Sequence, residues 1–177
     1  WQEYSSKNSF VMSNLESEEL KTLFDLLIST RDSLGTLWIL GNGGNASLAS
    51  HAVADFSKTA RGLGAKPLKT LSLSEMVALQ SAFSNDESFE YGFARTLEMY
   101  LAPHDAILVV SVSGQSPNLL RALDVAISKE SKVAAIVGIA GEPLRERCDA
   151  FVAIDSNDYQ IVENVQLAIM HWITKNL

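Results

Sequence analysis

Two histidines and two carboxylates occur at helical spacing: His51 and Asp55 four residues apart, and Glu163 and His171 eight apart. On a helix each spacing lines the pair up along one side. A carboxylate and an imidazole are suited to removing a proton from carbon and serving the neighbouring oxygen, the two tasks of an enediol isomerisation. The same four residues, His51, Asp55, Glu163 and His171, also form a ligand set for zinc or another divalent ion, which polarises a carbonyl as a Lewis acid. Spacing alone fits an ordinary amphipathic helix equally well, so the neighbouring loops must decide. Cys148 is the single cysteine; it excludes an intrachain disulfide and leaves any metal site to His and carboxylates.

Two loops point at a phosphate. Gly41-Asn42-Gly43-Gly44-Asn45-Ala46 follows a short apolar run and opens a helix, so its glycines bring free N–H groups close to a ligand. Alone, it also satisfies the dinucleotide fingerprint G-x-G-x-x-A, with Glu75 as the ribose partner, or a tight turn that needs glycine for geometry. The second loop, Ser111-Val112-Ser113-Gly114-Gln115-Ser116, again joins an apolar run to a helix, with Ser116 at the N-cap and Pro117 at the first helical position. Capping accounts for Ser116 but not for Ser111 and Ser113. Three hydroxyls, free amides and the positive end of a helix dipole suit a terminal phosphate without any Lys or Arg. A dinucleotide would leave the serines unexplained. We therefore expect a sugar monophosphate, held by Asn42, Gly43, Gly44, Asn45, Ser111, Ser113 and Ser116, and no nucleotide cofactor.

The elements that position these loops alternate regularly. Apolar runs at Thr36–Leu40, Leu68–Leu73, Ala106–Val112, Val133–Ile139 and Ala150–Ile154 alternate with helical stretches at Ala46–Ala60, Ser74–Ser84, Ser88–Ala102, Ser116–Lys129 and Gln160–Asn176. Runs apolar on both faces and separated by helices predict an α/β three-layer sandwich with a five-stranded parallel sheet. A leading N-terminal helix starts at Ser17, and a short helical turn lies near Pro143 to Arg147. Strand order 2-1-3-4-5 would put both loops in one crevice at the topological switch point. Arg61 to Lys66 is the most loop-like stretch, His104 reads as a surface loop residue, and Tyr91, Phe93, Leu97 and Tyr100 read as helix packing.

With 177 residues we expect one domain over 1–177. A net charge of -7 and a pI near 4.9 argue against nucleic acid and anionic membranes, both of which require clustered cations. No apolar stretch approaches a membrane span and Trp1 to Asn8 carry no signal-peptide pattern, so the chain reads as cytoplasmic. Its opening on Trp1 rather than Met suggests residues upstream.

Together the glycine loop, His51, Asn85-Asp86, the serine loop and His171 resemble the sugar isomerase (SIS) domain family over nearly the whole chain, within it the phosphoheptose isomerase branch. That branch interconverts sedoheptulose 7-phosphate and heptose 7-phosphate. The resemblance implies a five-stranded SIS sheet, a homotetramer or dimer with active sites at subunit interfaces, phosphate on Ser111, Ser113 and Ser116, and a sugar contact from Asp86. It also marks departures. The isomerases carry Glu, their proposed base, at Asp55 and Gln at Glu163. Asp is one methylene shorter, so at fixed backbone its oxygens fall about 1 to 1.5 Å short. Reach must be restored elsewhere, or Glu163 takes the base role. The pair of changes keeps two histidines and two carboxylates with one more negative charge, which fits a retained or strengthened metal site. Other departures are Gln160 for Asp, Gln166 for His, Asn45 for Ser, Val112 for Thr, and Thr59 for Arg beside Lys58. The expected activity is an aldose-ketose isomerase of a heptose or similar phosphate, with Asp55, His171 and Glu163 catalytic. The alternative is a noncatalytic SIS protein that senses a phosphosugar or scaffolds another protein.

Overall fold

The structure, a computed structural model, describes residues 1–177. The five apolar runs form strands β1 (Thr36–Leu40), β2 (Lys69–Ser72), β3 (Ala106–Ser111), β4 (Lys132–Gly138) and β5 (Ala150–Ile154). They make one parallel sheet in the order β2-β1-β3-β4-β5. Every residue of β1 and β3 is buried, whereas edge strand β2 alternates exposed and buried. Central strands have helices over both faces, and so their continuous apolar sequence is satisfied.

The helices are α1 (Gln2–Ser13), α2 (Ser17–Asp32), α3 (Gly44–Ala54), α4 (Ala60–Gly62), α5 (Val77–Asp86), α6 (Gly92–Tyr100), α7 (Pro117–Ser128) and α8 (Tyr159–Asn176). On one face Leu37, Ile39, Leu108 and Val110 pack with Leu23 and Leu27 of α2, Leu48 and Ala52 of α3, and Ile161, Val165, Ile169 and Ile173 of α8. On the other, Trp38, Leu40, Ile107 and Val109 meet Phe93 and Leu97 of α6 and Leu119 and Leu123 of α7. The period-2 alternation of each strand therefore feeds two separate cores.

Several boundaries differ from expectation. Helix α1 was not foreseen: its hydrophobic residues form no stripe, and it is fastened to α8 by polar contacts, Asn164 Nδ2 donating to Tyr4 Oη at 2.6 Å and to Asn8 Oδ1 at 3.0 Å. The single helix expected over Ala46–Ala60 is instead α3, then a π-helical turn over Asp55–Thr59, then α4. Asn85 and Asp86, beyond the helical stretch expected to end at Ser84, are the last residues of α5. The turn near Pro143 is a longer 3-10 segment, Ile139–Arg147. Tyr91 packs with charged partners: the guanidiniums of Arg95 and Arg121 lie over its ring, 5.2 and 5.4 Å from the centroid. No helix is long and apolar enough to cross a membrane.

At the opposite end of the sheet from the two loops, the Asp105 carboxylate is 6% exposed and accepts three N–H groups: Thr36 N at 2.7 Å, Trp38 Nε1 at 2.9 Å and Ala102 N at 3.0 Å. It joins the start of β1 to the turn that enters β3, and so helps fix these two neighbours. Asp105→Ala leaves these three donors without their acceptor. It should lower stability in urea unfolding by about 3 to 5 kcal/mol; a loss under about 1 kcal/mol would show that the junction does not depend on it.

Candidate active site

The first loop leaves β1 at Leu40 and turns on Gly43, whose φ of +55° lies in the left-handed region that favours glycine. Ser74 Oγ holds it from the side, donating to Gly41 O at 2.9 Å. Asn42 does not point freely at a ligand. Its amide forms a reciprocal pair with that of Asn118 on the first turn of α7: Asn42 Nδ2 donates to Asn118 Oδ1 at 2.9 Å, and Asn118 Nδ2 to Asn42 Oδ1 at 2.8 Å. Around this pair lies a crevice of about 240 Å³, whose lining includes Gly43, Ser74, Gln80, Ser84 and Phe89. It sits at the carboxyl ends of β1 and β3, the switch point expected from strand order. Asn45 is turned inward, with Oδ1 buried and unpartnered.

The serine loop reverses one expectation about its hydroxyls. Ser116 does occupy the N-cap of α7, but its side chain makes no capping bond. Ser111 and Ser113 are the locally engaged ones: Ser111 Oγ accepts from Gly114 N at 3.0 Å and Ser113 Oγ from Gln115 N at 3.3 Å. Gly114, at φ +65°, makes this fold-back possible, and a side chain there would come within 2.8 Å of Gly141 Cα. From below, the wholly buried Gln166 of α8 donates Nε2 to Ser111 O at 3.1 Å and to Ile136 O at 2.9 Å. The loop is preshaped, with the Ser116 hydroxyl left for another partner. The three serines do not themselves line the 240 Å³ crevice; α7 joins them to it through Asn118.

The titratable residues gather on the outer side of α3 and α8. His51 Nε2 stands 3.3 Å from Asp55 Oδ2, His171 Nε2 lies 3.5 Å from the same oxygen, and the two Nε2 atoms are 3.2 Å apart. Bonds of about 2.0 to 2.1 Å to a tetrahedral divalent ion imply ligand atoms roughly 3.3 Å apart, so the three separations fit three corners of such a site. The short Asp55 reaches both rings. The π turn that begins at Asp55 keeps it in α-helical register with His51 and shifts only the residues after it. Both histidine side chains stay half exposed, at 50% and 49%.

Glu163 stands apart from this trio. Two turns before His171 on α8, it lies against the start of α3, where a methyl on Gly44 would sit 2.6 Å from its Oε1. Asp86 accepts from Asn85 Nδ2 at 2.9 Å and is exposed, as are Gln160 and Lys58. A concavity of about 490 Å³, lined by residues including Thr22, Ser29, His104 and Lys132 near the amino ends of the strands, holds none of the motif residues. Burial pushes the Cys148 thiol up to about 11, so no ready thiolate nucleophile is present. Sequence reasoning missed Asn118, Ser74 and the anchoring role of Gln166. Asn118 carried a faint signal, an amide just after the helix-starting Pro117.

A sheet of order 2-1-3-4-5 with a glycine loop and a serine loop at its switch point is the arrangement of a phosphosugar-binding α/β domain. The chain belongs to the SIS domain family, whose profile matches residues 3–138. It is 31% identical over 154 residues to phosphoheptose isomerase from Helicobacter pylori, covering 87% of this chain and 80% of that protein. It is 33% identical over 149 residues to phosphoheptose isomerase from Trichlorobacter lovleyi, covering 84% and 76%. The fold matches the structure of phosphoheptose isomerase GmhA from Neisseria gonorrhoeae with a TM-score of 0.88 at 19% identity, over 98% of this chain and 92% of that one.

Because the Ser116 hydroxyl caps nothing, Ser116→Ala should change stability by no more than about 0.5 kcal/mol. If Ser116 binds phosphate, the same variant weakens affinity for a sugar phosphate, read by calorimetry. Unchanged affinity would place the phosphate elsewhere.

Proposed function

We propose that this chain, as one SIS domain over residues 1–177, is an aldose-ketose isomerase of sugar phosphates of the phosphoheptose isomerase type. The observation that carries the proposal is the convergence of His51, Asp55 and His171 at 3.2 to 3.5 Å in a chain that also presents two preshaped phosphate-type loops. Phosphate would sit on the amides and hydroxyls of Ser111, Ser113 and Ser116, with Gly43 and Gly44 allowing close backbone approach and Asn42, Asn45 and Asp86 shaping the sugar end. Neutral donors at a helix N-terminus suffice for an anion, even on a chain of net charge -7.

The chemistry is set by the residue types. Asp55 takes the proton from the carbon beside the carbonyl and returns it to the adjacent carbon. His171 gives a proton to the carbonyl oxygen and recovers one from the neighbouring hydroxyl, so the sugar leaves with no net gain or loss of protons. His51, Asp55 and His171 fit zinc or another divalent ion, and Glu163 joins that set only if brought to them from outside this arrangement. Such an ion supplies Lewis-acid polarisation of the carbonyl. If Asp55 served as a ligand instead, Glu163, beside Gly44, would be the carboxylate available for the base role.

Residues 44 and 51 are seven apart on α3, about 10 Å along its axis, and the histidines are half exposed. A second copy covering this face would close the site against water, which supports a homotetramer or dimer with interfacial sites. No nucleotide, nucleic acid or membrane enters this reading, and its place is the cytoplasm.

The test is incubation with a panel of aldose and ketose phosphates, sedoheptulose 7-phosphate included, in deuterated water with and without divalent metals. Turnover should carry solvent deuterium onto carbon to the extent that the proton on Asp55 exchanges with water before its return, and Asp55→Asn in metal-free enzyme should lower kcat about 100-fold or more while binding persists. Intact binding with no turnover under any condition would overturn the isomerase and leave a noncatalytic sensor or scaffold.

A further inference from the structure

The last paired residues of the two central strands are Leu40 of β1 and Val109 of β3. Beyond them the chains part: the glycine loop turns into α3 on one face, and the serine loop into α7 on the other. Each loop has its own internal supports, Ser74 on Gly41 O for the first, and Gly114 N on Ser111 Oγ and Gln166 on Ser111 O for the second. None of these fixes the distance between the loops. The reciprocal amide pair of Asn42 and Asn118 is the hydrogen-bonded link from residues 41–46 to residues 112–118.

We propose that Asn118 is a positioning residue for phosphosugar binding: its pair with Asn42 sets the separation of the glycine and serine loops, and thus the width of the phosphate-sugar crevice. Three features carry this. Asn118 is 2% exposed, yet its polar groups are met by Asn42, so it holds an amide where a small apolar residue would serve packing alone. An amide pair with two bonds is self-complementary and constrains orientation as well as distance. Finally, Asn42 and Asn118 are both walls of the 240 Å³ crevice, so a change in their separation changes the space a ligand occupies. Asn42 then acts through this pair rather than as a direct phosphate ligand. The proposal rests on the phosphosugar reading given above, and its test separates the two.

Wild type, Asn118→Ala, Asn42→Ala and the double variant are titrated calorimetrically with sedoheptulose 7-phosphate and with inorganic phosphate, and each is melted and assayed. Each single variant should bind sugar phosphate about tenfold more weakly, with most of the kinetic loss in KM. The double variant should be no more than about twofold worse than the weaker single, because the pair fails as one unit. A purely structural Asn118 would lower the melting temperature and leave affinity of the folded fraction unchanged, which overturns the proposal. So do losses that multiply in the double variant, since Asn42 and Asn118 would then act separately. If Asn118→Ala does not fold, Asn118→Ser, which keeps a polar side chain but cannot form the two-bond amide pair, takes its place in the same comparison. Wild type that binds neither ligand overturns the phosphosugar reading as well. Wild type that binds while both single variants bind equally well overturns only the role of Asn118.

Discussion

The constraint on which the rest depends is that β1 and β3 lie side by side while the chain leaves them toward opposite faces of the sheet. Two adjacent parallel strands with diverging exits leave a crevice between their loops, and two helix N-termini open onto it. Asp105 secures the lower end of this pair and the Asn42–Asn118 amides the upper end. Between them, strands buried on both faces supply the rigidity. The loop on this base is also braced from within, by the internal bonds of Ser111 and Ser113.

That bracing bears on how an acidic chain could hold an anion at the proposed phosphate seat. Long-range charge opposes a phosphate here, so attraction must come from short-range donors: loop amides, hydroxyls and the dipole of α7. Such donors act only in fixed geometry. Hence the burial of Gln166 beneath the loop and the left-handed Gly114 within it matter as much as the serines that would touch ligand.

The reacting end obeys a different logic. His51, Asp55 and His171 come from two helices that pack on the same sheet face, and their meeting depends on the contact of α3 with α8 rather than on loop shape. Their separations suit a shared ion or a shared proton, and both uses need water to be limited. Half-exposed imidazoles on an outer helix face leave that closure to another surface. The proposed phosphate seat is thus complete in local structure, whereas the trio stands half open on the outer helix face.

Local physics written along the chain decided the frame. Continuous apolar runs alternating with helical stretches pointed to a parallel sheet covered on both sides, and glycine or serine clusters between strand and helix to loops at the carboxyl ends of strands; the SIS fold came from resemblance to the family, and strand order 2-1-3-4-5 is what the folded sheet displays. His51 and Asp55 were legible for the same reason, since a four-residue spacing fixes their meeting by helix geometry alone. Tertiary structure decided what depends on contacts between distant segments. His171 joins that pair and Glu163 does not, because packing of α8 on α3 sets which of its turns faces His51. Ser116 is free and Ser111 engaged because of a backbone reversal at Gly114, and Asn42 meets Asn118 across 76 residues. No spacing rule spans such a distance, so only the folded sheet could bring the two amides together.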